Sequence, residues 1–316
     1  MYEAFFGLDE RPFSLTPNPR YVFYSDRYRN ALEQLRFGIE QREGFMMLTG
    51  VVGAGKTTLS RDLLEHLDSA GPYRTALIFN PFLSPDEMLQ SLLSEFGCSY
   101  PPDASKKDLL DRLNTFLLAQ LVHGYTCVAL FDEAQHLTEE FLEQIRVLSN
   151  LETEEEKLLQ IVLVGQPELR QRIQKPSLAQ LDQRVAVRCT LSHLSEDETE
   201  RYLYHRVNVA GGKGAITFSG RAIRLIHRES EGIPRLVNLA ADRAMLAAYV
   251  DRSETVKKVH VQRGLAALRG AESVEDQMEV GAGRGRWKTV AIVAAAVVLL
   301  TLVGVAAYLY ANGSLP

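Results

Sequence analysis

The sequence predicts an α/β fold, a parallel sheet covered by helices, with a helical segment after it and one membrane-crossing helix at the C-terminal end. Three observations carry this. Strand-like apolar runs recur at Phe45–Thr49, Thr75–Asn80, Cys127–Asp132, Gln160–Gly165 and Val185–Leu191, with helical patterns between them. After about Ser195 the strand signal stops, and residues 195–210, 219–230, 233–249 and 256–268 all read as helices. From Thr289 to Pro316 there is no charged residue.

The first predicted strand leads into Gly50-Val51-Val52-Gly53-Ala54-Gly55-Lys56-Thr57, which fits G-x-x-x-x-G-K-[ST] in full. The segment from Thr58 to Leu67 then has helical apolar spacing. Strand, glycine loop and helix in that order form a phosphate cradle. Glycines let backbone N–H groups turn inward, and the helix N-terminus favours negative charge. The expected nucleotide-binding set is Gly50, Val52, Gly53, Ala54, Gly55, Lys56, Thr57 and Thr58. Lys56 would reach the β- and γ-phosphates of ATP, and Thr57 would hold Mg²⁺.

The run Cys127–Phe131 reads as a buried parallel strand and ends in Asp132-Glu133. Asp132 is placed to hold Mg²⁺ through water, and Glu133 to polarise the attacking water. Between these strands, Asp108–Leu118 is an amphipathic helical pattern. The acidic cluster Glu152, Glu154, Glu155 and Glu156 reads as a solvated loop.

Composition narrows the class. At 316 residues the chain can hold one large domain and a smaller one, and 46% apolar with 24% charged residues is ordinary for a globular protein. A net charge of −5 argues against a protein whose main task is coating nucleic acid. Cys98, Cys127 and Cys189 lie far apart with no metal-ligand spacing, so they read as reduced thiols. The seven histidines are scattered, no H-E-x-x-H occurs, and His136 reads as a polar loop residue.

Val290 to Tyr310 is a nearly unbroken apolar run of about 20 residues, enough for roughly 30 Å of helix and one bilayer crossing. Trp287, Tyr308 and Tyr310 stand as interfacial anchors, and Arg284, Arg286 and Lys288 precede the run with no Lys or Arg after it. The charge asymmetry places residues 1 to about 286 in the cytoplasm; the competing reading is a buried apolar helix. Met1-Tyr2-Glu3-Ala4 does not open a secretory signal.

A phosphate-loop core followed by a helical lid resembles an AAA+ ATPase. The resemblance implies three further sites. Gln166, in Gly165-Gln166-Pro167 after the fourth strand, would be the "sensor 1" group facing the γ-phosphate. Arg235, in Gly232-Ile233-Pro234-Arg235, would be the "sensor 2" arginine, with Pro234 beside it at a helix start. Arg184, or failing it Arg188, would be the arginine finger presented to a neighbouring subunit. The N-terminal aromatic and proline block packs on the core, and residues 11–24 would border the adenine.

Finer blocks carry a narrower resemblance. Phe5-Phe6-Gly7-Leu8, Pro12-Phe13, Thr16-Pro17-Asn18-Pro19-Arg20-Tyr21, Gly44-Phe45, Asp132-Glu133-Ala134-Gln135, Leu148–Thr153, Val164–Leu169 and Gly232–Arg235 together resemble the general secretion pathway protein A (ExeA-like) ATPases, from about residue 2 to 268. That resemblance implies an inner-membrane ATPase that assists assembly of type II secretion machinery or MSHA-type pili, working as a homo-oligomer, an AAA+ ring, with a partner among the assembly subunits. The longer members carry a periplasmic peptidoglycan-binding domain; here only Ala311–Pro316 follow the apolar run, as in a short member or a cut chain. The expected organisation is an N-terminal segment 1–42, an ATPase core 43–192, a lid 193–269, a linker 270–286, a membrane helix 287–310 and a periplasmic tail 311–316. Two other functions compete: a DNA-linked regulator resembling transposition ATPases, and a nucleotide-dependent scaffold with little turnover. The membrane helix and acidic balance favour the first reading and no nucleic-acid partner.

Overall fold

In the computed structural model, residues 2–16, 18–79, 83–154, 156–212, 214 and 216–270 are described. Chain order is α1 (Asp26–Glu40), β1 (Phe45–Thr49), α2 (Lys56–Ala70), β2 (Tyr73–Ile78), α3 (Pro85–Glu95), α4 (Lys106–Val122), β3 (Thr126–Phe131), α5 (Glu139–Leu148), β4 (Leu159–Gly165), α6 (Pro167–Ile173), α7 (Ala179–Arg184), β5 (Val185–Thr190), α8 (Glu196–Val209), β6 (Thr217–Phe218), α9 (Gly220–Ser230), α10 (Pro234–Val250) and β7 (Thr255–Val256). Residues 1–261 make one compact unit; of the second, 262–316, the described part 262–270 is helical.

Five strands form a parallel sheet in the order β2-β3-β4-β1-β5. Alternate residues of β1 serve opposite faces. Met46 and Leu48 pack with α1 and α2 residues such as Leu35, Leu59 and Leu63. Phe45 and Met47 pack with residues of α3 to α5 such as Leu92, Leu113 and Phe141. Both faces are therefore covered, which is why β1, and β3 from Cys127 on, read as continuous apolar runs rather than as alternation. Serines set several helix starts: Ser84, Ser105 and Ser195 each close a reciprocal capping box, a device worth roughly 1 kcal/mol per helix.

Each predicted strand of the sheet is present. The second begins and ends earlier than its apolar pattern, at Tyr73 and Ile78, and Asn80 lies outside the described residues. Two strands were not foreseen: β6 and β7 pair in parallel beyond the main sheet. At two residues each they are too short to carry a period-two pattern. The acidic cluster is more structured than a solvated loop: Glu156 pairs with Arg42 at 2.5 Å, and Glu152 pairs with Lys157. Among the described residues no helix is long and apolar enough to cross a membrane; the apolar run 290–310, its linker and the tail lie outside them.

Candidate nucleotide site

Because β3, β4 and β1 are neighbours, three sequence features end on one edge of the sheet. The glycine loop follows β1, Asp132-Glu133 follows β3, and Gln166 follows β4 between them. The carboxyl edge of a parallel sheet is where such folds bind ligands. A cavity of about 400 Å³ lies there, lined by Val52–Thr58, Glu133, Gln166, Pro234 and Arg235, and on its other side by residues between Ser14 and Tyr28, with Tyr202, Arg206 and Asn238.

The loop geometry follows from its glycines. Gly53 and Gly55 have φ of +82° and +102°, a region closed to most side chains. At Gly53 space adds a second reason: a Cβ would stand 2.6 Å from Cβ of Arg235, whose backbone N–H donates to the Gly53 carbonyl at 3.3 Å. The start of α10 is thus seated on the loop. Gly232 sets that approach; it has φ +71° and accepts from Leu194 N–H at 2.9 Å, where a Cβ would run into the Leu194 carbonyl. Gly50 does not line the cavity. It continues the β1 ladder, its N–H donating to Gly165 at 3.2 Å, and it lies against Leu191.

Lys56 is 6% exposed, and its ammonium donates to the Val51 carbonyl at 3.2 Å. Burial pulls its pKa down, while Glu133, Asp132 and Glu168 oppose that. The Thr57 hydroxyl donates to Asp132 Oδ2 at 2.8 Å. Burial pushes the Asp132 carboxyl up, and the Thr57 bond and the Glu133 N–H, 2.8 Å from Oδ1, hold it back. A hydroxyl beside a carboxylate is a hard oxygen donor pair of the kind Mg²⁺ takes, and both sit at the foot of the phosphate loop. No larger cluster of metal-ligating side chains occurs among the described residues.

Glu133 lines the cavity in the left-handed region, at φ 53° and ψ 31°. A non-glycine residue held there costs energy that its surroundings must offset. The next turn supplies the support. Gln135 Nε2 donates to Glu133 Oε2 at 2.5 Å, and Gln135 Oε1 accepts from the Gln166 N–H at 2.9 Å. The Arg172 guanidinium clasps the carbonyls of Gln135 and Leu137. His136 is exposed, but it closes the single 3-10 turn Ala134–His136 rather than lying in a loop.

Arg184 and Arg188 do not line this cavity. Arg184, exposed at the end of α7, donates to Ser149 Oγ and to Asn150 Oδ1 at 2.8 Å. Arg188, exposed on β5, pairs with Asp182 at 2.9 Å. Both are surface cations held by their own chain, and Arg184 directly precedes Val185, which is in register with Phe45 at the start of β1, the sheet edge opposite the phosphate loop.

Sequence reasoning placed residues 11–24 at this cavity but missed what holds them. Arg206 donates to the carbonyls of Pro12 at 2.5 Å and Ser14 at 3.2 Å, and its guanidinium lies 4.6 Å from the Tyr21 ring. Its third bond, at 3.0 Å, goes to the Tyr202 hydroxyl, which donates to Asn238 at 2.9 Å. On the other side, Tyr24 and Tyr28 both donate to Asp62 of α2, at 3.2 and 3.1 Å. No local pattern announces these pairings; the i,i+4 placement of Tyr202 and Arg206 on α8 is the one signal that they share a face.

Residues 39–173 match an AAA domain. The chain is 44% identical over 304 residues to general secretion pathway protein A of Aeromonas hydrophila, a match that covers 96% of this chain and 53% of that protein. It therefore spans about half the length of that curated relative. Among solved structures, ORC2 of Aeropyrum pernix superposes with a TM-score of 0.59 at 17% identity, covering 82% of this chain and 71% of that one. Drosophila ORC bound to DNA gives 0.62 at 21% identity, covering 81% and 64%. At these identities the structural likeness speaks for the fold alone.

Proposed function

Starting from a chain that carries an AAA ATPase domain and is related over nearly its whole length to general secretion pathway protein A, we propose that it binds ATP with Mg²⁺ and hydrolyses it to assist assembly of a type II secretion or MSHA-type pilus complex. The observation that carries the ATPase reading is that Lys56, Thr57, Glu133, Gln166 and Arg235, drawn from separate stretches of chain, surround one cavity. Lys56 and the loop N–H groups would neutralise and hold the phosphates. Thr57 and Asp132 would hold Mg²⁺, which supplies charge stabilisation at the phosphates when bound. Glu133 would accept the proton of the attacking water, and Gln166 and Arg235 would read the γ-phosphate. Residues 14–25, with Tyr202 and Asn238, would enclose the base.

The rest of the proposal concerns place and assembly. The uncharged run 290–310, preceded by Arg284, Arg286 and Lys288, would cross the bacterial inner membrane once, with the ATPase part cytoplasmic and the C-terminus periplasmic. Residues 193–269 would act as the lid over the nucleotide. Arg184, or Arg188, would serve a neighbouring copy in an AAA+ ring, with an inner-membrane assembly subunit as the other partner and no nucleic acid. The acidic balance of the chain supports that last point.

One set of assays tests these parts. E133Q should bind ATP as the unaltered protein does but hydrolyse it roughly 10²–10⁴-fold more slowly. A wild-type rate in that variant would sink the assignment of the base. Hydrolysis per chain should rise with protein concentration, and R184A should lose the rise while still binding nucleotide. Full-length protein left in the supernatant of a detergent-free lysate would overturn the membrane anchor.

A further inference from the structure

We infer that Gln135 is a positioning residue that aims the Glu133 carboxylate and ties it to the backbone of Gln166, just after β4, so that the two groups facing the γ-phosphate are set as one unit. The inference rests on the ATPase reading above. Gln135 is 8% exposed and spends both ends of its amide on the site: Nε2 donates to Glu133 Oε2 at 2.5 Å, and Oε1 accepts from Gln166 N–H at 2.9 Å. A primary amide carries a donor and an acceptor on one planar group, so it can make both bonds at once. The surroundings are shaped to it. At Gly165 a Cβ would lie 2.9 Å from Gln135 Oε1, so the end of β4 admits the amide because that residue has no side chain. Arg172 holds the Gln135 and Leu137 carbonyls, which fixes the turn from behind. Glu133 itself, in the left-handed region, is otherwise held through its backbone, its N–H donating to Asp132 Oδ1 and its carbonyl accepting from the His136 N–H. Freed from Gln135, its carboxylate would sample several rotamers, and the water it orients would lose its position.

The test separates aiming from packing. Q135A should keep ATP affinity and KM near those of the unaltered protein while kcat falls roughly a hundredfold, the cost of a slightly misplaced catalytic group. Q135E preserves the volume but sets a carboxylate against Glu133, so it should be at least as slow as Q135A; a purely structural role would be rescued by it. Because Gln135 acts through Glu133, adding Q135A to E133Q should cost no further rate. Wild-type kcat in Q135E, or additive losses in the double variant, overturns the inference. If Q135A loses nucleotide binding, Q135E decides alone. A slow E133Q beside wild-type Q135A and Q135E sinks this inference and leaves the ATPase reading standing. Absence of hydrolysis by the unaltered protein overturns both.

Discussion

At one end of the cavity, Lys56, Thr57 and the backbone of Val52–Thr58 come from a single unbroken stretch of chain. At the other, Ser14, Tyr21, Tyr202, Arg206 and Asn238 come from three stretches up to 224 positions apart, from Ser14 to Asn238. The first end is built of backbone N–H groups and one buried cation, on a loop whose φ values only glycine accepts at Gly53 and Gly55. The second is built of aromatic rings tied together by one arginine. The difference follows from what each would bind. Phosphate is a compact charge that short-range geometry can satisfy; a base is a flat apolar body that needs walls, and walls come from tertiary packing.

The comparison predicts that damage at the two ends has different signatures. The largest effect belongs to K56A. Removing the buried cation should weaken ATP by about 2–5 kcal/mol while leaving the thermal midpoint of the apoprotein nearly unchanged, since in the free protein Lys56 makes one bond, to Val51. Calorimetric titration with ATP and a melt without it check both halves. An unchanged ATP affinity would break the distinction at its first term.

R206A should behave in the opposite way. It strips the Pro12 and Ser14 carbonyls of their donor and should destabilise the free protein by about 1–3 kcal/mol. ATP affinity should fall less than in K56A. Chemical denaturation with and without nucleotide measures it. Loss of affinity at full stability would show that the aromatic end touches ligand through this cation rather than through what the cation holds.

The smallest effect concerns pH. Burial, and then the Asp62 carboxylate, pushes the Tyr28 phenol above its ordinary value of 10.0. A group whose folded pKa is raised gives stability that is complete below the unfolded pKa and is lost as pH climbs above it, because only the unfolded chain releases the proton. Stability should therefore hold to about pH 10 and decline beyond it. Y28F should make that decline shallower, while costing about 1 kcal/mol at neutral pH for the lost bond to Asp62. Denaturation midpoints across the alkaline range decide; an unchanged slope would mean that the phenol titrates alike in both states.

Legibility divided along the same line. The glycine loop, Asp132-Glu133 and the presence of each strand of the main sheet were readable because each depends on neighbours within a few residues: a run of apolar side chains, a glycine where φ is positive, an acid at a strand tip. Gly50 belongs to the motif but is not among the residues lining the cavity, because a pattern cannot tell a residue that extends a strand's ladder from one that faces the cavity. The two-residue strands β6 and β7 passed below the length at which periodicity exists.

By itself, then, the sequence determined the order of strands and helices, the phosphate loop and the identity of the acids, since local sterics and hydrophobic periodicity act over a few residues. The tertiary structure alone decided that β4 lies between β1 and β3, which is what puts Gln166 beside Glu133. It also decided that Gln135 bridges those two, and that Arg206 binds Pro12 and Ser14 across more than 190 positions, as the separations of 194 and 192 show. Those contacts form only after loop closure brings distant segments together, and their partners are single polar atoms that no periodic pattern encodes.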